Sequence, residues 1–361
     1  MTDAPESPVA PRPSTIHAVA ALAGVSPSTV SRALNSPDMV RQATRQRVLA
    51  SVERLGYQPN RAARSLVLGR TATLGLIVPD IANPFYAPFV KVVHSHVREA
   101  EYALFLGDTD EDLATEVALA RAMARQVDGL LLCSPRMPGA RLRSIAATVP
   151  LVVANRLSRT VPSIAMDFGP GIGQAVMHVH ALGHRHCVFL SGPRDSWSNQ
   201  QRSRTFASAC HRLGIELTVL GPYEPFFGGG YRGADEALAT GATAMFAYND
   251  LVALGVMSRL AARGVRVPEE ISVIGFDDIP MASMTSPPLT TVVMPIAAVA
   301  KASASILLSL LAGTVPRRPA GKELATRLVI RDTTGTAAVP STRSVVPGRG
   351  GTERGTARPR S

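Results

Sequence analysis

A short polar face near the start of the chain carries the side chains best suited to contact a nucleic acid. Ser26 can cap a helix whose first residue is Pro27, and apolar residues then repeat at the helical period on one side of it. Hydroxyl, amide and guanidinium groups bond to phosphate oxygens and to base edges. The side chains predicted on the polar face are Ser28, Thr29, Ser31, Arg32 and Asn35.

A second helix precedes this one, and a tight turn joins the two. Thr15 can cap it, its apolar residues at 16, 19, 20 and 23 follow the 3.6-residue period, and Gly24 permits the turn. Two such helices make a helix-turn-helix, whose second helix enters the major groove of DNA. A plain helical hairpin inside a core is the alternative, but there the polar face would serve no purpose.

A second set of polar residues stands at the ends of strand-length apolar runs. The runs cover 74–80, 102–108, 129–135, 150–155, 186–192, 243–250, 271–278 and 290–295, with helical segments between them. This alternation predicts parallel strands covered on both faces, and its extent predicts an α/β fold of two doubly wound lobes. Ligands of such sheets bind beyond the carboxyl ends of the strands. Polar residues end the runs at Asp80, Asp108, Asn155, Asp250 and Asp277.

Motifs typical of enzymes are weak in this chain. Ser191-Gly192-Pro193 is no nucleophile elbow, and Gly228-Gly229-Gly230 lacks a phosphate-binding context, so we expect a flexible loop there. Histidines at 178, 180, 184 and 186 form i,i+2 pairs, which do not share a helix face. The three cysteines form no disulfide or zinc pattern. We therefore expect no catalysis, no metal and no cofactor.

Charge and composition favour a nucleic-acid contact attached to a neutral body. The net charge is +11, and residues 1–70 hold nine Lys and Arg against four Asp and Glu. Residues 317–361 hold ten against three, whereas the middle of the chain is nearly balanced. The sequence contains no apolar run of membrane-spanning length and no secretory signal, so we expect a cytoplasmic protein without a membrane partner. Residues 1–14 and 333–361 are predicted to be a disordered leader and a disordered basic tail.

A longer set of motifs resembles the lactose/galactose repressor (LacI/GalR) family. The matches to the family headpiece are T-I-x-x-V-A-x-x-A-G-V-S-x-x-T-V-S-R-x-L-N at 15–35, T-R-x-R-V at 44–48, L-G-Y-x-P-N at 55–60 and A-R-S-L at 63–66. Body motifs follow in the family's order, among them I-V-P-D-I-x-N-P-F-Y at 77–86 and I-S-V-I-G-F-D-D at 271–278. The resemblance covers roughly residues 15–332.

For the headpiece, the resemblance implies a recognition helix beginning at Pro27 and a hinge helix over 60–68 that orders in the minor groove. Arg32 would read a base, and Leu66 would be the wedge that kinks the duplex. Arg41 departs from the family, which usually has a small polar cap at that position. The DNA-contacting residues implied are Thr15, Ser26, Pro27, Ser28, Thr29, Ser31, Arg32, Asn35, Tyr57, Asn60, Ala63 and Leu66.

For the body, the resemblance implies a periplasmic-binding-protein fold with an effector between its lobes. Carboxylates with guanidinium groups suit a polyol, and an aromatic ring suits a sugar face. Phe85, Trp197 and Phe226 compete for the stacking role, and core packing is an equal alternative for each. The effector contacts implied are Asn83, Phe85, Asp108, Asn155, Arg156, Arg202, Asp250 and Asp277, with Arg202 and Asp250 foremost.

These observations predict a repressor that binds a palindromic DNA operator as a homodimer and responds to a small molecule. We expect a sugar effector, with a purine-type corepressor as the alternative. A solute-binding receptor would leave the helix-turn-helix unexplained, and a DNA-binding protein with a vestigial pocket stays open. The predicted division is a headpiece over 15–59, a hinge over 60–70 and an effector-binding and dimerisation domain over 71–332.

Overall fold

The computed structural model describes residues 15–57, 70–315 and 321–338. The side chain of Asn35 and the residues Asn60, Ala63 and Leu66 lie outside this description, as do the predicted leader and most of the hinge and basic tail. Three helices form the headpiece: α1 (Ile16–Ala23), α2 (Pro27–Asn35) and α3 (Gln42–Leu55), with a 3₁₀ turn at Pro37–Met39 before α3.

The first lobe of the body, the N-lobe, is a five-stranded parallel sheet. The elements of this lobe are β1 (Thr73–Val78), α4 (Tyr86–Glu99), β2 (Ala103–Asp108), α5 (Leu113–Met123), β3 (Gly129–Cys133), α6 (Gly139–Ala146), β4 (Leu151–Ala154) and β5 (Ser163–Ile164). The strands, in the order β2-β1-β3-β4-β5, pair in parallel throughout. The late helix α11 (Ile296–Leu311) returns from the far end of the chain to pack against α4 and strands β3 and β4.

The second lobe, the C-lobe, contains a six-stranded sheet. The elements of this lobe are α7 (Gly169–Ala181), β6 (His186–Leu190), α8 (Trp197–Arg212), β7 (Glu216–Leu220), α9 (Phe227–Ala239), β8 (Ala244–Ala247), α10 (Asp250–Ala262), β9 (Ser272–Asp277), β10 (Thr290–Val293) and β11 (Arg327–Val329). The strand order is β11-β10-β9-β8-β6-β7. Strand β11 runs antiparallel to β10, so only the other five strands of this sheet follow the expected parallel pattern.

Apolar composition explains which strands lie in the middle of each sheet. Strands β1, β3, β4, β8 and β9 are buried along their whole length, as expected for strands covered by helices on both faces. The edge strands β2 and β7 are partly exposed. No helix in the three described ranges is long and apolar enough to cross a membrane.

Two expectations from the sequence are corrected here. The three consecutive glycines from Gly228 lie inside helix α9 and not in a flexible loop. Glycine lets α9 approach helix α10 closely, since a side chain at Gly230 would overlap the carbonyl oxygen of Val252. The predicted disordered tail also starts too early. Thr333 is fully buried, with its hydroxyl donating to the Val273 carbonyl at 2.7 Å, and Ala337 N donates to Leu182 O at 2.8 Å. Residues 333–338 are thus part of the C-lobe.

Candidate nucleic-acid interface and ligand cleft

The headpiece holds its second helix through two side-chain caps and a small core. Thr15 Oγ1 accepts a hydrogen bond from Ala18 N at 3.3 Å, and Ser26 Oγ accepts one from Thr29 N at 3.2 Å. Gly24 takes the left-handed conformation, with φ 64°, at the turn between the helices. Three helices enclose the buried side chains, so α2 has a fixed orientation. The core residues are Val19, Ala20, Ala23, Val30, Ala33 and Val48.

Helix α2 turns a polar face outward. Ser28 and Arg32 are exposed and stand four residues apart, which places them on one side of the helix. The hydroxyl of Ser26 lies 2.8 Å from that of Ser28 and 2.9 Å from that of Thr29, so these side chains form one polar cluster. Tyr57, which is expected to contact DNA, is half-buried and packs against the headpiece core.

A narrow cleft lies between the two lobes of the body, at the carboxyl ends of their strands. The N-lobe contributes residues that follow strands β1 to β4. The C-lobe contributes residues that follow β6, β7 and β8, and the last residue of β9. Parallel strands bring their carboxyl ends to one edge, which explains why residues distant in sequence meet here. The lining residues are Asn83, Phe85, Tyr86, Glu111, Ser134, Arg136, Asn155, Ser196, Ser198, Arg202, Pro225, Tyr248, Asn249 and Asp277.

Arg202 and Asp277 form the charged base of the cleft on the C-lobe side. Arg202 is 3% exposed, and its guanidinium carbon lies 3.8 Å from the centre of the Phe276 ring. Its Nη1 donates to Tyr248 O at 2.5 Å, and its Nη2 lies 3.4 Å from Asp277 Oδ1. Burial raises the pKa of Asp277 to about 7, although the nearby Arg202 opposes this shift. The Asp277 carboxyl can therefore donate as well as accept near neutral pH.

Asn155 provides an unpaired hydrogen-bond acceptor on the N-lobe side. Its Nδ2 donates to Ser134 Oγ at 2.8 Å, whereas its Oδ1 is buried without a hydrogen-bond partner. Asn155, Ser134 and Asp277 all have positive φ, at 56°, 51° and 117°. Strained backbone of this kind concentrates where a site must hold side chains in place. The Asn155 oxygen is suited to accept a hydrogen bond from a ligand hydroxyl.

An ion pair through Arg136 joins the two lobes across the cleft. Arg136 follows β3 in the N-lobe, pairs there with Glu111, and donates from Nη1 to Asp195 Oδ1 of the C-lobe at 2.7 Å. The buried carboxylate of Glu116 holds the loop in place by accepting hydrogen bonds from Arg136 N at 2.8 Å and from Met137 N at 3.0 Å. Burial raises the pKa of Glu116, and the two N–H donors oppose that shift.

The cleft is closed in this conformation. Its free space for water-sized groups is about 20 Å³, which is room for about one water molecule. Ser198 Oγ also donates to Asn155 O at 3.4 Å, a second contact between the lobes. The lobes must move apart before a small organic molecule can enter.

Comparison with known proteins identifies the family. Residues 15–60 match the bacterial regulatory proteins of the lacI family, and residues 176–334 match the periplasmic binding protein-like domain. The HTH-type transcriptional repressor PurR of Aliivibrio fischeri (strain ATCC 700601 / ES114) is 34% identical over 318 residues, or 81% of this chain and 90% of that repressor. The chain belongs to the LacI family.

Two solved structures of transcriptional regulators have the same architecture. The lac repressor dimer bound to operator and the anti-inducer ONPF is 28% identical, with a TM-score of 0.80, and the match covers 90% of this chain and 100% of that one. The complex of the regulator CelR with cellobiose is 31% identical, with a TM-score of 0.65, over 89% and 100% of the two chains. The expected helix-turn-helix headpiece and two-lobed α/β body are confirmed.

The structure separates the expected effector residues of this LacI-family chain into two groups. Asn83, Phe85, Asn155, Arg202 and Asp277 line the cleft. The three remaining residues lie elsewhere, and each has a structural role. Asp108 is exposed at the end of β2, and its carboxylate accepts hydrogen bonds from Ile81 N at 3.3 Å and Asp110 N at 3.2 Å.

Arg156 and Asp250 are likewise corrected. Arg156 Nη1 donates to Pro135 O and Met137 O, both at 2.8 Å, and so braces the loop after β3. Asp250 is fully buried, with one carboxylate oxygen bonded to Thr291 Oγ1 at 2.5 Å and the other to Ile279 N at 2.9 Å. Burial raises the pKa of Asp250 well above its usual range. The carboxylate therefore holds β9 and β10 in the core rather than facing the cleft.

Of the three aromatic residues considered for stacking, only Phe85 lines the cleft, where the Tyr86 ring meets it edge-on at 5.0 Å. Nine cleft residues were not predicted from the sequence. Some of them stand in the loops that follow the apolar runs, and Ser134, Tyr248 and Asn249 stand inside the last residues of two runs, so a search of each run end together with its following loop could have found most of them. The missed residues are Tyr86, Glu111, Ser134, Arg136, Ser196, Ser198, Pro225, Tyr248 and Asn249.

Proposed function

We propose that this chain is a transcriptional repressor that binds a palindromic operator as a homodimer and changes its operator affinity when a sugar enters the cleft. The observation that carries the proposal is the presence in one chain of an outward polar recognition helix and a buried polar interlobe cleft. The proposed units are a headpiece over 15–59, a hinge over 60–70 and a body from residue 71. A protein that binds operator DNA works in the cytoplasm, and catalysis has no part in this function.

A neutral polyol is the ligand class that fits the cleft charges best. Arg136 is paired with Glu111 and Asp195, and Arg202 lies beside Asp277, so the cationic side chains already have anionic partners. A phosphate or carboxylate group on a ligand would be repelled by these acidic side chains. Hydroxyl groups can donate to the unpaired Asn155 Oδ1 and bond in either direction with Asp277. The cellobiose complex of the related CelR also supports a sugar.

Apolar surfaces on both lobes support the homodimer. Phe105 and Leu106 on the edge strand β2 are 49% and 39% exposed. On the C-lobe, a groove of about 800 Å³ is lined by Phe227, Met257 and Met284, among others, and Met284 is 77% exposed. Monomers seldom leave surfaces of this kind uncovered. The lac repressor to which the chain is similar is a dimer on its operator.

Sedimentation tests the dimer through three substitutions of exposed apolar residues by aspartate. Phe105→Asp and Met284→Asp are expected to produce monomers, because each places a charge in a proposed interface. Met177→Asp is the matched control, since Met177 is 56% exposed on helix α7, and it should stay dimeric. Dimers from both interface variants would contradict this part of the proposal.

A thermal-shift screen tests the ligand. Cellobiose, ribose and other sugars are compared with adenine and guanine on the wild type and on Asn155→Gly, which removes the amide but tolerates φ 56°. Glu101→Gly is the matched control, because Glu101 also has positive φ, at 63°, and is exposed in the same lobe.

A sugar should raise the melting temperature of the wild type and of the control. It should bind Asn155→Gly about tenfold more weakly, because a lost hydrogen bond in a buried site costs on the order of 1–2 kcal/mol. Stabilisation by purines alone would assign a purine-type effector instead. Equal shifts in all three proteins would place the ligand outside the cleft.

A further inference from the structure

Asp128 holds the first described residues of the body to the N-lobe. It lies between helix α5 and strand β3, where the parallel strands begin, and the cleft lies beyond their opposite, carboxyl ends. Its Oδ1 accepts hydrogen bonds from Thr71 N at 2.7 Å and from Thr71 Oγ1 at 2.9 Å, and its Oδ2 accepts one from Ala72 N at 2.9 Å. Hydrogen bonds to an ionised carboxylate are stronger than those between neutral groups.

The backbone around this carboxylate is fixed in an unusual conformation. Ala72 has φ 49°, which is costly for a residue with a side chain. Asp128 N also donates to Thr73 O at 2.8 Å, so residues 71–73 are held to Asp128 from both its main chain and its side chain. Thr71 and Asp128 are only half-buried, and neither belongs to the apolar core of the lobe. The contact therefore sets the direction of the chain more than it fills the interior.

Two strands connect this contact directly to the cleft. Strand β1 begins at Thr73 and β3 begins one residue after Asp128, and they pair in parallel from Leu74 with Gly129 to Ile77 with Leu132. Both strands are fully buried. Beyond their carboxyl ends lie Asn83 on one side and Ser134 with Arg136 on the other. A rigid pair of strands therefore has Asp128 at one end and ligand-cleft residues at the other.

We propose that Asp128 is a positioning residue that transmits the arrangement of the N-lobe to the segment leading to the headpiece. This inference rests on the proposed function, because it concerns the coupling between cleft and DNA. Without the carboxylate, residues 71 and 72 lose three hydrogen bonds to the lobe and keep the one from Ala103 N to Ala72 O, so movement of β1 and β3 fixes less closely where the chain leaves the lobe. Specific binding then loses the fixed placement of its two headpieces, whereas binding of phosphates by the headpiece alone does not depend on it.

The test uses the full chain with Asp128→Ala, Asp128→Asn and Thr71→Val. Asp112→Ala is the matched control, because its carboxylate accepts a backbone hydrogen bond from Thr115 N at 2.7 Å in the same lobe but caps helix α5. Two DNA probes are used: a palindromic duplex recovered with the wild type from a random-sequence pool, and a random-sequence duplex of equal length. Melting temperature and amide exchange at residues 71 and 72 are measured in parallel.

Asp128→Ala is expected to weaken binding to the palindrome about tenfold relative to the control. Asp128→Asn should have a smaller effect and Thr71→Val the smallest, and all should bind the random duplex as the wild type does. The inference is wrong if faster exchange at residues 71 and 72 accompanies unchanged palindrome binding, or if both duplexes are lost equally. If the wild type recovers no palindrome from the random-sequence pool, the proposed function is overturned instead, so the two failures are distinct.

Discussion

At the scale of single residues, Arg32 carries the sharpest expectation about DNA. It is exposed on the polar face of α2, four residues after Ser28. Arg32→Ala should weaken operator binding by about 1–3 kcal/mol and relax base preference at one operator position, because a guanidinium can bond to two acceptors of a guanine. Binding to a library of operator variants measures both effects.

Arg54→Ala is the control for charge alone. It removes the same charge from the same headpiece, in the last turn of α3. Any loss of affinity should then be equal for all operator variants, since a phosphate contact does not depend on sequence. A change of base preference in Arg54→Ala but not in Arg32→Ala would contradict the assignment of α2 as the recognition helix.

Asp277 makes the stability of the folded protein depend on pH. Burial raises its pKa to about 7, so the folded protein binds a proton that the unfolded chain has released above about pH 4. The stability that this proton contributes is fully present below pH 4 and is lost as the pH rises through 7. The melting temperature of the wild type should therefore fall relative to that of Asp277→Asn between pH 5 and pH 8.

Asp112→Asn is the control, and its expected behaviour has the opposite sign. Hydrogen bonds from Thr115 lower the pKa of Asp112, so its contribution is complete above about pH 4 and is lost only in more acidic solution. The melting temperature of Asp112→Asn should differ from that of the wild type by a constant amount between pH 5 and pH 8. A constant difference for Asp277→Asn as well would show that this carboxyl is already ionised in the folded protein at pH 5.

At the scale of elements, two glycines in long helices should respond in opposite ways to alanine. A side chain at Gly230 of α9 would overlap the backbone of α10, whereas Gly173 of α7 has open space around it. Gly230→Ala should destabilise the protein by about 1–3 kcal/mol, because helices in backbone contact must separate. Gly173→Ala should stabilise it by about 0.5–1 kcal/mol through helix propensity. Chemical denaturation checks both values, and equal signs would contradict the packing argument.

The apolar runs predicted the central strands well, because burial on both faces of a sheet requires a continuous apolar sequence. They did not predict β7, whose sequence ELTVL is partly exposed at a sheet edge and lacks such a run. The glycines of α9 lack a phosphate-binding context, which predicts a flexible loop, but local sequence could not show that α9 packs in backbone contact with α10. For the cleft, strand ends located Asn155 and Asp277, but they could not show that Asp250 turns inward to Thr291 while its neighbour Asn249 reaches the cleft.

At the scale of the whole molecule, the Arg136–Asp195 ion pair should control how often the lobes are closed. Asp195 is half-exposed, with 51% of its side chain accessible, so its effect is that of a screened surface pair. Asp195→Asn should shift the balance toward open lobes by about two- to fivefold. Energy transfer between dyes on the two lobes measures the shift, and added salt should move the wild type in the same direction.

Asp235→Asn is the control for this measurement. Asp235 pairs with Arg259 and Arg263 within the C-lobe, so the substitution removes ion pairs that do not cross the cleft. Its lobe distance should match that of the wild type at every salt concentration. If the lobe distance of Asp195→Asn also matches that of the wild type, the ion pair forms as a result of closure and does not stabilise the closed state.

The path of the chain through the two lobes also determines the order in which the protein can be made. The headpiece core is complete once residue 57 has left the ribosome. The N-lobe needs α11, which ends at Leu311, and the C-lobe needs the chain as far as Ala337, which bonds to Leu182. At about 5–20 residues per second, synthesis of the chain from residue 57 to the end of the two lobes takes tens of seconds. Each new molecule therefore passes through a stage in which its DNA-reading helices already have all the residues of their core while the ligand-responsive body is still unfinished.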